Sequence, residues 1–124
     1  MKKILIIDDE EGLRFFVKTN LELRGDYQVI GAADGKEGIR LAEEEKPDVI
    51  LLDIIMPKMD GLEVLKRLKE GEKTKSIPVI MLTAKSDDKT RLKALKLHND
   101  AYIVKPFTVS ELESKVEDAL NRDS

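Results

Sequence analysis

Five side chains suited to one kind of chemistry stand at the ends of short apolar runs. Asp8 and Asp9 follow Ile4-Leu5-Ile6-Ile7, Asp53 follows Val49-Ile50-Leu51-Leu52, Thr83 follows Val79-Ile80-Met81-Leu82, and Lys105 closes Tyr102-Ile103-Val104. If the runs lie side by side, three carboxylates, a hydroxyl and an ammonium meet although they are far apart in the chain. Crowded carboxylates repel, and burial strengthens the repulsion. Either some of them take up protons or a divalent cation neutralises them. Oxygen donors with no neighbouring His or Cys favour Mg²⁺, with Mn²⁺ as the alternative ion.

A carboxylate beside such a cation, a lysine and a hydroxyl suits transfer of a phosphoryl group onto the carboxylate itself. Asp53, placed mid-sheet on the third run, is the best candidate for acceptor. Asp8 and Asp9 would hold the metal, directly or through water. Lys105 and the metal would bear the charge of the equatorial oxygens, while Thr83 would donate a hydrogen bond to one of them. Taken singly, Asp9 and Thr83 read as helix caps and Lys105 as a solvated side chain. Joint placement at the ends of four runs is harder to assign to capping, because sites are constellations.

The elements that must position these groups are legible in the hydrophobic pattern. Ile4–Ile7, Val49–Leu52 and Val79–Leu82 are continuously apolar, as parallel strands covered on both faces are. Tyr27–Ile30 reads as an edge strand and Tyr102–Val104 as a short fifth strand ending at Lys105-Pro106. Between them, Leu13, Phe16, Val17 and Leu21, then Leu62, Leu65 and Leu68, then Leu112, Val116 and Ala119 recur at helical spacing. Asp34 with Glu37, Asp60 with Glu63, and Thr108 with Glu111 are start signals in which the first side chain caps and the Glu reaches back. The first helix is expected from about Glu11 to Arg24 and the fourth from about Asp87 to Leu97. Five strands alternating with five helices make one doubly wound α/β domain, 1–124, with helices on both faces of a parallel sheet. The ligand site of such a sheet lies beyond the carboxyl ends of its strands.

Length and composition bound the rest. The 124 residues leave room for one domain, and no cysteine is present for disulfides, thiolate zinc sites or thiol catalysis. A net charge of −3 argues against a generally basic nucleic-acid binder. The apolar run at the N-terminus is too short for a signal core or a membrane span, so a cytoplasmic, non-inserted protein is expected. The 38% of charged residues resembles a thermophile's composition, and a charged domain of any origin fits equally well.

Five segments together resemble the receiver domains of two-component response regulators, the chemotaxis-type fold. They are Ile6-Ile7-Asp8-Asp9-Glu10, Pro47 through Asp53, Met56-Pro57-Lys58-Met59-Asp60-Gly61, Pro78 through Ala84, and Tyr102 through Phe107, covering essentially the whole chain in order. The resemblance implies the flavodoxin-like strand order 2-1-3-4-5. It implies that Asp53 accepts a phosphoryl group from a histidine kinase or histidine phosphotransfer protein, with Mg²⁺ held by Asp8, Asp9, Asp53 and the Ile55 carbonyl. It also implies a cis Lys105-Pro106 peptide that aims the lysine inward, and a turn at Pro57–Gly61 in which Asp60 acts as a cap. On phosphorylation Thr83 would move toward the new oxygens and Tyr102 would swing inward. The face made by the fourth helix, fifth strand and last helix would then change its affinity for a downstream protein target.

His98-Asn99-Asp100-Ala101 replaces the Gly-Ala-Asp-Asp that is frequent in the family before the last strand, which puts the cap of the fourth helix in question. Lys85, Lys89, Lys93 and Lys96 read as a solvated face of that helix. The competing reading is a haloacid-dehalogenase-like phosphatase. It is disfavoured because Ile54-Ile55 follows Asp53 and the length leaves no room for a cap domain. A pseudo-receiver is disfavoured because all five groups are present. The expectation is therefore a monomeric phosphoacceptor that assists its own phosphorylation and hydrolysis and processes no separate metabolite. No direct contact with nucleic acid is expected. A stop directly after the last helix fits a stand-alone receiver or an excised one, and Met1 at the start of the first strand favours the stand-alone protein.

Overall fold

The computed structural model describes residues 1–84, 89, 93 and 101–121. The strands are β1 (Lys2–Ile7), β2 (Tyr27–Ala32), β3 (Val49–Asp53), β4 (Val79–Ala84) and β5 (Tyr102–Lys105). They form a single parallel sheet in the order β2-β1-β3-β4-β5. The described helices are α1 (Glu11–Leu23), α2 (Gly35–Glu45), α3 (Gly61–Glu70) and the last, α4 (Val109–Asn121). The helix expected over 87–97, and with it Lys85, Lys96 and His98-Asn99, lies outside the described residues. Within that stretch Lys89 and Lys93 are described, both helical and exposed.

Strand alternation sorts the apolar residues into two layers. Ile4 and Ile6 of β1 join Leu51, Ile80 and Leu82 beneath Val17 and Leu21 of α1 and Leu112, Val116 and Ala119 of α4. Leu5 and Ile7 join Ile50, Leu52, Val79 and Met81 beneath Ala42 of α2 and Val64, Leu65 and Leu68 of α3. With both faces covered, every residue from Ile4 to Ile7 and from Val49 to Leu52 is fully buried. That is the physical origin of the unbroken apolar runs. Loss of one such side chain to Ala costs about 2–5 kcal/mol.

The start signals hold, with one difference. Asp34 Oδ1 accepts from the Glu37 amide at 2.9 Å and Asp60 Oδ1 from the Glu63 amide at 3.0 Å. Thr108 and Glu111 cap each other's amides at 3.1 and 3.2 Å. Glu37 reaches back to the Ala33 amide. Glu63 instead turns forward to pair with Arg67, where an exposed ion pair at i,i+4 competes with the backbone amide.

Candidate functional site

The carboxyl ends of β1, β3 and β5 bring four of the five expected groups together. One carboxylate oxygen from each of Asp8, Asp9 and Asp53 lies within 4.8 Å of the others. Asp8 is fully buried, Asp53 is 7% exposed and Asp9 is exposed. The Lys105 ammonium reaches from the outer strand to Asp8 Oδ2 at 3.3 Å and Asp53 Oδ1 at 3.4 Å. The Lys105–Pro106 peptide is cis.

Local backbone fixes each acid. Asp8 donates its amide to Ala32 O, extending the β1–β2 ladder, and its Oδ1 accepts from the Glu10 amide at 2.8 Å. Arg14, one turn into α1, donates to the Asp8 carbonyl at 2.7 Å. Asp53 Oδ1 accepts a long hydrogen bond, 3.4 Å, from the Ile55 amide. Beneath Asp53 the chain folds back sharply. Lys58 takes a left-handed φ of 71°, the Met59 amide bonds Pro57 O at 2.9 Å, and the Gly61 amide bonds Ile54 O at 2.6 Å. A Cβ on Gly61 would strike the Asp53 carbonyl and stand 2.5 Å from Ile54 Cα, so a hydrogen is all this position tolerates.

The electrostatics follow from this geometry. Burial, reinforced by the Asp8 charge, pushes the Asp53 carboxyl from 3.8 up to about 6, against the opposing pull of Lys105 and the Ile55 amide. For Lys105 burial favours the neutral amine, but the Asp53 and Asp8 charges outweigh it and raise its pKa. The site is therefore an acidic pair spanned by an ammonium that remains charged.

Thr83 sits apart from this cluster in its hydrogen bonding. It is buried, and its hydroxyl donates a stretched bond to Ile103 O at 3.5 Å. Tyr102 pairs in register with Met81 and lies half-buried against the layer beneath α2 and α3. Ile55 presents an exposed side chain, 62% accessible, beside the acids. Gly61 and Arg14 carry structural duties here that their sequence positions alone do not announce. The Asp60-Gly61 pair and the helical spacing of Arg14 behind Asp8-Asp9 were the available signals.

A doubly wound α/β domain with lysine-bridged carboxylates at the boundary between its first and third strands is the class that fold and geometry define. Residues 4–117 match the response regulator receiver domain family, and the chain belongs to that family. It is 44% identical over 121 residues to the alkaline phosphatase synthesis transcriptional regulatory protein PhoP of Bacillus subtilis, covering 98% of this chain and 49% of that protein. It is 42% identical over 122 residues to the DNA-binding dual master transcriptional regulator RpaA of Synechocystis, covering 98% and 50%. Among solved structures, a response regulator receiver domain protein of Clostridium thermocellum superposes with a TM-score of 0.91 at 34% identity, covering 99% of this chain and 97% of that one. A chemotaxis protein of Vibrio cholerae gives 0.89 at 32% identity, covering 97% and 99%.

The expected strand order and fold class are thus observed, and the chain is a receiver of two-component signalling rather than a haloacid-dehalogenase-like phosphatase. It spans about half the length of the curated relatives it matches. No helix among the described residues is long and apolar enough to cross a membrane.

Proposed function

We propose that Asp53 is the phosphoryl acceptor of this receiver, taking the group from a phosphohistidine on a histidine kinase or histidine phosphotransfer protein. The observation that supports this most is the Asp53 carboxylate itself, buried at the rim, pressed by Asp8 and bridged by Lys105. The Ile55 amide and Lys105 both address Oδ1, which orients the carboxylate and leaves Oδ2 to attack phosphorus. The new O–P bond forms as the P–N bond to the donor imidazole breaks, and that ring leaves with the electron pair. Lys105 follows the charge onto the equatorial oxygens. The Thr83 hydroxyl exchanges its stretched bond to Ile103 O for a phosphoryl oxygen.

Three carboxylates within one oxygen-rich cluster fit a hard divalent cation. Asp8, Asp9, Asp53 and the Ile55 carbonyl would hold Mg²⁺, or Mn²⁺. When bound, the ion neutralises the acids and the incoming phosphoryl oxygens. The same groups would assist hydrolysis of the aspartyl phosphate, so the domain acts on itself and on no separate metabolite.

Movement of Thr83 would free space for Tyr102 to turn inward. The face around β5 and α4 would then change its affinity for a downstream protein target. The unphosphorylated domain is expected to be monomeric and cytoplasmic, with 1–124 forming the receiver unit. The earlier expectation of no contact with nucleic acid draws no support from the relatives, which are transcriptional regulators. DNA binding by a longer protein of this kind remains compatible with the receiver.

Labelling with radioactive acetyl phosphate and Mg²⁺ tests the acceptor. Wild type should incorporate phosphate and Asp53→Asn should lose most of it; undiminished labelling of the variant overturns the assignment. Phosphotransfer profiling against the host's histidine kinases then identifies the donor.

A further inference from the structure

The order of the sheet leaves β2 with a neighbour on one side, β1. The Ala32 carbonyl accepts from Asp8 and the Asp26 carbonyl from Lys2, so the even-numbered residues of this segment face β1. In a parallel ladder the intervening residues then turn their amides and carbonyls outward. Val29 is one of these, at the middle of the strand. An exposed row of this kind is a template for a further strand.

Here the row is occupied by side chains. Lys18 of α1 donates to the Val29 carbonyl at 3.1 Å, and the Val29 amide donates to Glu22 Oε2 at 3.0 Å. Lys18 and Glu22 are also an i,i+4 ion pair at 2.9 Å. One donor and one acceptor, four residues apart on a helix, reproduce the two bonds that a neighbouring strand would make to Val29. One turn earlier on the same stripe, Arg14 lies across Gly31, the next outward-facing position. A Cβ on Gly31 would stand 3.2 Å from Arg14 Cδ, so the guanidinium stem fits close against that backbone. The strongest influence on Glu22 is the Val29 amide, followed by Lys18, and together they lower its pKa and keep the acceptor ionised.

We propose that the outer edge of β2 is a strand-addition surface held shut by the Lys18–Glu22 clamp, and that the occupant it excludes is β2 of a second copy of this chain. The choice of a second copy rests on geometry. Across a two-fold axis near Val29 the two strands would run antiparallel, and each Val29 would exchange its amide and carbonyl with the other, an isologous contact that needs no further partner. Gln28 and Gly31 are themselves exposed and uncharged, and Arg14, which lies across Gly31, is a flexible side chain that a second strand would displace. With the clamp in place both Val29 groups are already satisfied, and pairing would cost an ion pair and two hydrogen bonds. The clamp therefore directs self-association and partner binding to other faces of the domain.

The test combines amide hydrogen exchange with sedimentation. In wild type the Val29 amide should be protected although it lies on the sheet's outer edge. Lys18→Ala/Glu22→Ala should exchange at Val29 roughly ten- to a hundredfold faster in dilute solution, the scale of a charge-assisted hydrogen bond. The same variant should dimerise as its concentration is raised. Glu22→Gln, which keeps an acceptor for the amide, should stay protected and monomeric. Adding Gly31→Pro to the double alanine variant should abolish the dimer, because proline removes an outward donor at an edge position that tolerates it. Unchanged Val29 exchange in single Glu22→Ala, a folded double variant that stays monomeric at high concentration, or a dimer indifferent to Gly31→Pro would each overturn the proposal. If the double variant does not fold, the exchange measured on Glu22→Ala and Glu22→Gln decides it.

Discussion

Asp53→Asn is expected to make the protein more stable at neutral pH when divalent ions are removed, although it deletes the proposed acceptor. The folded-state pKa of about 6 stands some two units above the ordinary 3.8. Each unit corresponds to about 1.4 kcal/mol, so the ionised carboxylate opposes folding by at most about 3 kcal/mol. The sign follows from proton counting. Between pH 4 and 6 the folded chain binds the proton more tightly than the unfolded one, so stability falls as pH rises through that window. Solvent at the rim screens part of this, and a gain of about 1–2 kcal/mol is expected for the variant at pH 7.5. In a domain of this size that is a rise of about 4 °C in Tm for each kcal/mol. Urea unfolding in EDTA at pH 7.5 and at pH 4 reads the effect. The gain should be present at the first pH and much smaller at the second, where Asp53 is protonated in the folded chain and partly protonated in the unfolded one. Mg²⁺ should narrow the gap, because an ion present at a hundred times its Kd stabilises by about 2.7 kcal/mol and the variant retains fewer ligands. A variant less stable than wild type in EDTA at pH 7.5, or equally stabilised at both pH values, would refute the electrostatic reasoning.

Gly61→Ala drives a methyl group into backbone at Asp53 and Ile54 and should cost about 1–3 kcal/mol in urea unfolding, with weaker Mg²⁺ stabilisation. Lys105→Met removes the cation that opposes Asp8, so the Asp53 pKa should climb above its present value of about 6, as read from the carboxyl carbon shift in NMR titration without metal. The same variant should lose most of its acetyl phosphate labelling rate. Thr83→Ala should still accept phosphate but lose the phosphorylation-dependent gain in partner affinity, measured by calorimetry with the identified target. Thr74→Val deletes the buried 2.6 Å bond from Thr74 Oγ1 to Leu68 O and should lower stability by about 1–3 kcal/mol without altering labelling.

Much of this architecture could be read from the chain because its signals are local. The unbroken run Ile4–Ile7 requires cover on both faces, and the structure supplies α1 and α4 on one side and α2 and α3 on the other. β1 nevertheless begins earlier than the run, at Lys2, because the ladder to β2 includes exposed residues that hydrophobicity does not mark. Asp8, Asp9, Asp53 and Lys105 were identifiable because each ends or directly follows a strand, and parallel strands carry their last residues to one rim. Thr83 met the same criterion, yet its hydroxyl is turned to the carbonyl of the neighbouring strand, an orientation no spacing encodes. Gly61 was visible as part of a motif, but the collision that demands glycine there involves the Asp53 carbonyl across a tight reversal. Lys18 and Glu22 look in sequence like an ordinary helical ion pair. Their bonds to Val29 depend on how α1 lies along the sheet margin, which is a tertiary fact.

Lys105 belongs to the outermost strand, four residues long and laddered to β4, yet its ammonium rests on acids from the middle of the sheet. That side chain is in effect a tether thrown over β4. Neutralising the central acids would slacken it and adding negative charge would tighten it, so the margin of the domain would register the electrical state of its centre through a single flexible arm. A strand of four residues with a neighbour on one side only is the part of the sheet that such a pull would displace at least cost.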